Sequence, residues 1–281
     1  FERNYVTYNG QLHVEGTKLM NENNEEVRLK GTVLLNNSNL TFDKELLSNL
    51  KEWGTNVIKV GLGNADSSHS YTNIDYMNRM YQIIDDAIEL DMYVVVIFWS
   101  GSDLTEEIYN QANEYFTQIV TRYEDVPNLI YEIANEPKQE WNEIKLYANQ
   151  IIPLIRNISE NALILCPARG HNAVDEIIGN KLEIENVMYV SHIYAGDDGS
   201  CIKLINAILN NVPVFVSEWS NSDGESIVNE SFDLKTLKFI ATMDKYNISS
   251  TFFIMCESDA TRTFFVKKGE WSSTLTDDIL D

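Results

Sequence analysis

Leu129-Ile130-Tyr131-Glu132-Ile133-Ala134-Asn135-Glu136-Pro137 is an apolar run that closes on an acid and then a proline. A short apolar run of this length reads as a buried strand. Proline has no N–H to give to a ladder, so it ends the strand. Glu136 is thereby delivered at a strand's C-terminal end. Val214-Phe215-Val216-Ser217 repeats the arrangement, with Glu218 closing the run and Trp219 directly after it.

Outward from these two, six more runs of the same kind recur, giving eight in order: Val27–Leu35, Asn56–Leu62, Met92–Trp99, Leu129–Asn135, Ala162–Cys166, Val187–His192, Pro213–Glu218 and Ser250–Cys256. Helical patterns separate most of them. Ile74, Met77, Met80, Ile83, Ile84, Ala87 and Ile88 recur at three-to-four spacing, with Asp75, Asn78, Arg79, Asp85 and Asp86 on the outer face. Trp141 to Asn157 carries a stripe of Ile144, Ala148, Ile151 and Ile155, interrupted by Pro153, which leaves a gap in the helix's hydrogen bonding. Near-continuous apolar strands alternating with amphipathic helices predict a parallel sheet covered on both faces. Eight such units predict an α/β fold closed as a (β/α)8 TIM barrel, a single domain over residues 1–281. Gln11–Val14 and Thr17–Met20 predict an N-terminal hairpin across its bottom. No GxGxxG follows the first strand, which argues against a dinucleotide fold.

Composition narrows the partners. The 281 residues are 44% hydrophobic and carry a net charge of −22, which repels nucleic acid and anionic membrane surfaces but not a neutral polymer. No run approaches the roughly 20 apolar residues that span a bilayer. Three cysteines cannot all pair with one another, and Cys166 and Cys256 lie in strand-like runs as small core residues. No cysteine or histidine spacing marks a metal site.

Two carboxylates at the C-terminal ends of separate barrel strands form a minimal apparatus for cleaving a glycosidic bond, without cofactor or metal. Around them, Asn135 is placed to hydrogen-bond a sugar hydroxyl, or to serve strand-end turn chemistry. His192 and Tyr194, two apart, project to one side of their strand. Trp99, Trp219 and Trp141 offer flat faces for sugar rings, Trp219 foremost. Trp53, near a helix end, is expected to pack between helix and barrel.

Several segments together resemble glycoside hydrolase family 5, specifically its bacterial endo-β-1,4-glucanases. LIYEIANEP (129–137) resembles the family's strand-four signature, NVMYVSHIYAG (186–196) its strand-six His-x-Tyr segment, and PVFVSEWSNSD (213–223) its strand-seven segment. NGQLHVEGTKLMNENNEEVRLKG (9–31) and EIKLYANQIIPLIR (143–156) match in pattern, so the resemblance covers nearly the whole chain. It implies that Glu136 is the general acid/base and Glu218 the nucleophile of a retaining mechanism. It also implies a β-linked polysaccharide or oligosaccharide as partner, and a secreted protein, although the chain opens at Phe1 without a signal-like segment.

Five positions depart from the family's pattern. Val33-Leu34-Leu35-Asn36-Asn37 stands where a histidine is usual, and Lys59 where an arginine supports the nucleophile. Ile97-Phe98-Trp99 replaces an aspartate-tryptophan-histidine. Phe252 or Phe253 replaces a tryptophan, and Ala168-Arg169-Gly170 a glycine-threonine-tryptophan. Lys59 still brings a positive charge to Glu218, without arginine's bidentate fork. Two expectations follow: a hydrolase with reduced turnover or altered specificity, or an inactive barrel that binds carbohydrate or protein.

Overall fold

In a computed structural model, residues 5–34, 42–194, 197–221, 230–255, 265–267 and 270–271 are described. A short helix α1 (Tyr5–Asn9) leads into a hairpin of β1 (His13–Glu15) and β2 (Lys18–Met20), paired antiparallel. Eight parallel strands follow: β3 (Lys30–Leu34), β4 (Val57–Gly63), β5 (Tyr93–Trp99), β6 (Leu129–Glu132), β7 (Leu163–Pro167), β8 (Val187–Tyr194), β9 (Val214–Ser220) and β10 (Ser250–Met255). They close into a barrel in chain order, β10 returning to pair with β3. The fold is a (β/α)8 barrel, and all eight expected runs supply its strands.

Between the strands lie α2 (Lys44–Glu52), α3 (Ile74–Glu89), α4 (Glu106–Arg122), α5 (Trp141–Arg156), a 3-10 turn (Val174–Ile177), α6 (Asp198–Leu209) and α7 (Glu230–Lys245). Five of these starts are fixed by side-chain chemistry that satisfies the first unpaired amides. Asp43 accepts from the Leu46 amide, Asn73 from Asp75, Thr105 from Ile108 and Asp197 from Ser200. At α5, Glu140 and Glu143 form a capping box. Pro153 stays within α5 on its exposed side, and the carbonyl it cannot pair belongs to Asn149, itself an exposed residue. The apolar stripes of α3 and α5 are buried as expected, apart from Ile88, which is half-buried, and Ile74, which stands 67% exposed at the start of α3.

The core has two parts. Outward strand residues such as Val94, Val96 and Ile164 pack against the helices. Inward residues Val57, Tyr93, Val95, Ile130, Leu165, Met188 and Phe215 fill the barrel's lower half, plugged from below by Val6, Leu12, Leu19 and Val27. The hairpin thus closes the N-terminal end, with the Tyr93 hydroxyl donating to the Gly10 carbonyl at 2.8 Å. Cys166 is buried and free, while Cys256 lies outside the described residues. Trp53 is a correction: it caps the end of α2 at 51% exposure, because the helix ends before turning that side chain onto the barrel.

Candidate active site

One layer above the apolar floor, the inward positions become polar. Strands β4, β6, β8 and β9 contribute Lys59, Glu132, His192 and Ser217, all buried. Alternation along a strand would aim only one of Ser217 and Glu218 inward. A bulge in β9 sends both inward. Val190 and His192 of β8 pair with Phe215 and Glu218, and Ser250 and Phe252 of β10 pair with Val216 and Trp219, so β9 carries one extra residue against each neighbour.

The charges interlock. Lys59 Nζ lies 3.0 Å from Glu132 Oε1 and 3.1 Å from Glu218 Oε1, and 3.3 Å from Ser217 Oγ. The Tyr194 hydroxyl donates to Glu218 Oε2. His192 Nε2 stands 3.0 Å from Ser217 Oγ, and its Nδ1 is 2.6 Å from Glu136 Oε1. One polar atom from each of Glu136, His192 and Glu218 lies within 4.8 Å of the other two. Such a trio offers metal-donor atoms. Here the close contacts run between the donors themselves, as in proton sharing, and the chemistry considered below needs no ion.

Burial acts on these groups against their neighbours. It would raise the Glu218 carboxyl, but the charges of His192 and Lys59, with hydrogen bonds from Tyr194 and Lys59, hold it below its ordinary value. Burial would lower His192; the negative charge of Glu218 and hydrogen bonds to Glu132 and Glu136 outweigh that and the Lys59 charge, pushing it up to about 9. Lys59 is also raised: the Glu132 and Glu218 charges overcome its complete burial. Glu136 differs in access. Its side chain is 35% exposed, at the mouth, and its backbone holds a left-handed φ of 45°, uncommon for a side chain of this size. Asn135, beside it, is half-buried; its backbone N–H donates to Ser100 Oγ at 3.3 Å.

The structure therefore brings Glu136, Glu218, His192, Tyr194 and Lys59 into one cluster, with Asn135 at its edge. Trp99, the last inward residue of β5, sits at the mouth in an apolar group with Val33, Phe253 and Ile254. Phe253 is the mouth phenylalanine, edge-on to Tyr194, whereas Phe252 is buried against Trp219. Trp219 is not in the cluster: past the bulge it faces the helix layer, edge-on to Phe252 and to Phe239 of α7. Trp141 is a correction. It is buried at the start of α5, its Nε1 donating to the Asn180 carbonyl at 2.7 Å and its ring edge-on to Tyr189, far into the helix–sheet layer. Leu35, Asn36 and Asn37 lie outside the described residues. Glu132 and Ser217 were not singled out from sequence. Their signal was there: an acid inside one buried run and a lysine inside another must find each other.

Comparison with known proteins adds an independent line. Residues 20–259 match the sequence model of the family Cellulase (glycosyl hydrolase family 5). Endoglucanase A of Butyrivibrio fibrisolvens is 33% identical over 240 residues, 80% of this chain and 56% of that protein. An endoglucanase of Clostridium saccharobutylicum is 31% identical over 268 residues, 90% of this chain and 58% of that protein. The chain thus spans little more than half the length of these relatives. Among solved structures, the catalytic domain of Thermobifida fusca endoglucanase Cel5A superposes with a TM-score of 0.82 at 25% identity, covering 92% of this chain and 90% of that one. A variant of the same domain, solved in complex with cellotetraose, superposes with a TM-score of 0.81.

Proposed function

The chain belongs to glycosyl hydrolase family 5, and from that premise we propose that it is a retaining endoglucanase, cleaving β-1,4-linked glucan by double displacement. The observation that carries the reading is the spacing of Glu136 and Glu218. Their nearest carboxylate oxygens lie within 4.8 Å, close to the roughly 5–5.5 Å of retaining pairs and short of the 6.5–9.5 Å that admits a water between inverting ones. The cellotetraose bound by the Thermobifida domain supports a β-glucan as the substrate class. The family resemblance supports an extracellular site of action; among the described residues no helix is long and apolar enough to cross a membrane.

The two carboxyls divide the work by environment. Glu218, held ionised by Lys59, His192 and Tyr194, attacks the anomeric carbon as the glycosidic C–O bond breaks. Glu136, at the mouth, is the acid that passes a proton to the leaving oxygen. Glu136, now ionised, then takes a proton from water; the water oxygen attacks the anomeric carbon and the bond to Glu218 breaks. Asn135 meets the sugar's 2-hydroxyl, and Trp99 walls the subsite of the sugar being cleaved. Trp219 contributes at most an indole edge to substrate, since Phe239 and Phe252 occupy its sides.

The test is hydrolysis of carboxymethyl cellulose, with proton NMR of the first-formed product. The β-anomer is expected, and Glu218→Gln should lose several orders of magnitude in kcat while remaining folded. A first product of the α-anomer rules out retention. A second reading, a barrel that binds glycan without cleaving it, draws on the apolar mouth group of Val33, Trp99, Phe253 and Ile254. Binding of cello-oligosaccharides with no turnover on glucan, mannan or xylan selects it.

A further inference from the structure

The polar layer beneath the mouth contains a hydrogen-bonded chain that the two-carboxylate mechanism does not require: Glu132, Ser217, His192, Glu136. Ser217 Oγ has one proton and two lone pairs. It meets Glu132 Oε1 at 3.0 Å, Lys59 Nζ at 3.3 Å and His192 Nε2 at 3.0 Å. Lys59 has only protons to give, and Glu132, ion-paired with it at 3.0 Å, has only lone pairs. The serine proton therefore goes to Glu132, and one serine lone pair accepts from Lys59. The remaining lone pair can accept only from an N–H, so Nε2 must carry a hydrogen. The other ring nitrogen, Nδ1, then faces Glu136 Oε1 at 2.6 Å.

We propose that Glu132 and Ser217 lock a proton on Nε2 of His192, so that the imidazole's one mobile proton lies on the Nδ1–Oε1 line shared with Glu136. This inference rests on the hydrolase reading. It makes Glu132 and Ser217 positioning residues for the acid/base step, acting through His192. The logic holds whether His192 is neutral, accepting from the Glu136 hydroxyl, or cationic, donating to its carboxylate. In both states the pair holds one proton at the place where the leaving oxygen must collect it.

The surrounding charges favour keeping that proton. The ionisable groups around His192 are Lys59 from β4, Glu132 from β6, Glu136 beyond β6, Tyr194 on its own strand and Glu218 from β9, whose Oε2 is 3.5 Å from Nδ1. Three of these are acids and one is a permanent cation. Glu132 lies below the ring and away from the mouth, so it can act on the proton without competing for substrate. Its own Oε2 is buried with no partner among the described residues, as expected of a group placed for charge more than for hydrogen bonding.

The experiment uses the intact chain with 15N-labelled histidine. One-bond 15N–1H correlations of His192 should show Nε2 protonated from about pH 5 to 10, with Nδ1 alone titrating. In Ser217→Ala the Nε2 anchor is gone. Tautomers should mix, and the alkaline limb of the kcat/KM profile should move to lower pH by about one unit. Ser217→Thr, which restores the hydroxyl, should restore both. Glu132→Gln provides a second route should Ser217→Ala fail to fold. Its amide can donate to Ser217, turning the serine proton toward Nε2 and reversing the tautomer. Wild-type protein in which Nε2 titrates while Nδ1 keeps its hydrogen overturns the proposal, as do variants that leave both tautomer and pH limb unmoved. If no β-glycan is cleaved at all, the hydrolase reading fails, while the NMR titration still decides where the proton sits.

Discussion

Lys59 stands fully buried between two carboxylates, and its removal leaves Glu132 and Glu218 facing each other in a dry interior. A methionine there fills similar volume but brings no charge. Lys59→Met should therefore cost about 3–5 kcal/mol in urea unfolding, the range for breaking a buried pair by deleting one partner. A loss under about 1 kcal/mol would mean that the acids take up protons or water more readily than the burial of the cluster suggests. The same charge logic made part of the site legible beforehand. Glu136 and Glu218 could be found because each closes an apolar run, and His192 with Tyr194 because a spacing of two puts both on one face. Trp219 could not be placed the same way. Its orientation depends on the extra residue in β9, and a bulge leaves no mark in the alternation of a run that is apolar throughout.

At the scale of elements, the strands were readable because strands covered on both faces are apolar along their whole length. The helices were readable because their inner stripes recur at helical spacing. What could not be read is how strand ends meet across the mouth. Trp99 from β5, Val33 from β3 and Phe253 with Ile254 from β10 are far apart in sequence and form one apolar group. The one side-chain hydrogen-bonding atom of that group is the Trp99 indole N–H, a donor only, where the family's pattern has histidine and tryptophan. Trp99→His gives this wall an acceptor nitrogen for a sugar hydroxyl and opens space beside it. It should raise kcat/KM on carboxymethyl cellulose by about tenfold, chiefly through kcat if the new contact forms in the transition state. Equal or lower kcat/KM would show that the apolar wall suits the substrate as it stands. Stability should change little, because Trp99 is only partly buried.

For the molecule as a whole, the buried cluster ties stability to pH. His192 titrates in the fold at about 9, above its ordinary 6.5. Its contribution is therefore fully present below about pH 6.5 and is lost as pH rises through 9. Glu218 runs the other way: its carboxyl is lowered from 4.5, so its contribution is present above that value and is lost as pH falls through the depressed one. Melting temperature should peak between about 4.5 and 6.5 and decline toward pH 9, and His192→Gln should flatten the alkaline decline. Melts repeated in high salt separate this from the repulsion of 22 net negative charges, which salt screens, whereas the buried pairs are screened far less. The closure of the barrel carries a consequence for how the protein is made. β3 finds its second neighbour only in β10, where Ser250 pairs with Lys30 across some 220 residues of chain. On a ribosome working from the N-terminus, one edge of the growing sheet therefore stays open until nearly the last strand emerges. An open edge is an invitation to pair with the wrong chain. A net charge of −22 suits that interval, because like-charged nascent copies repel one another while the edge is open.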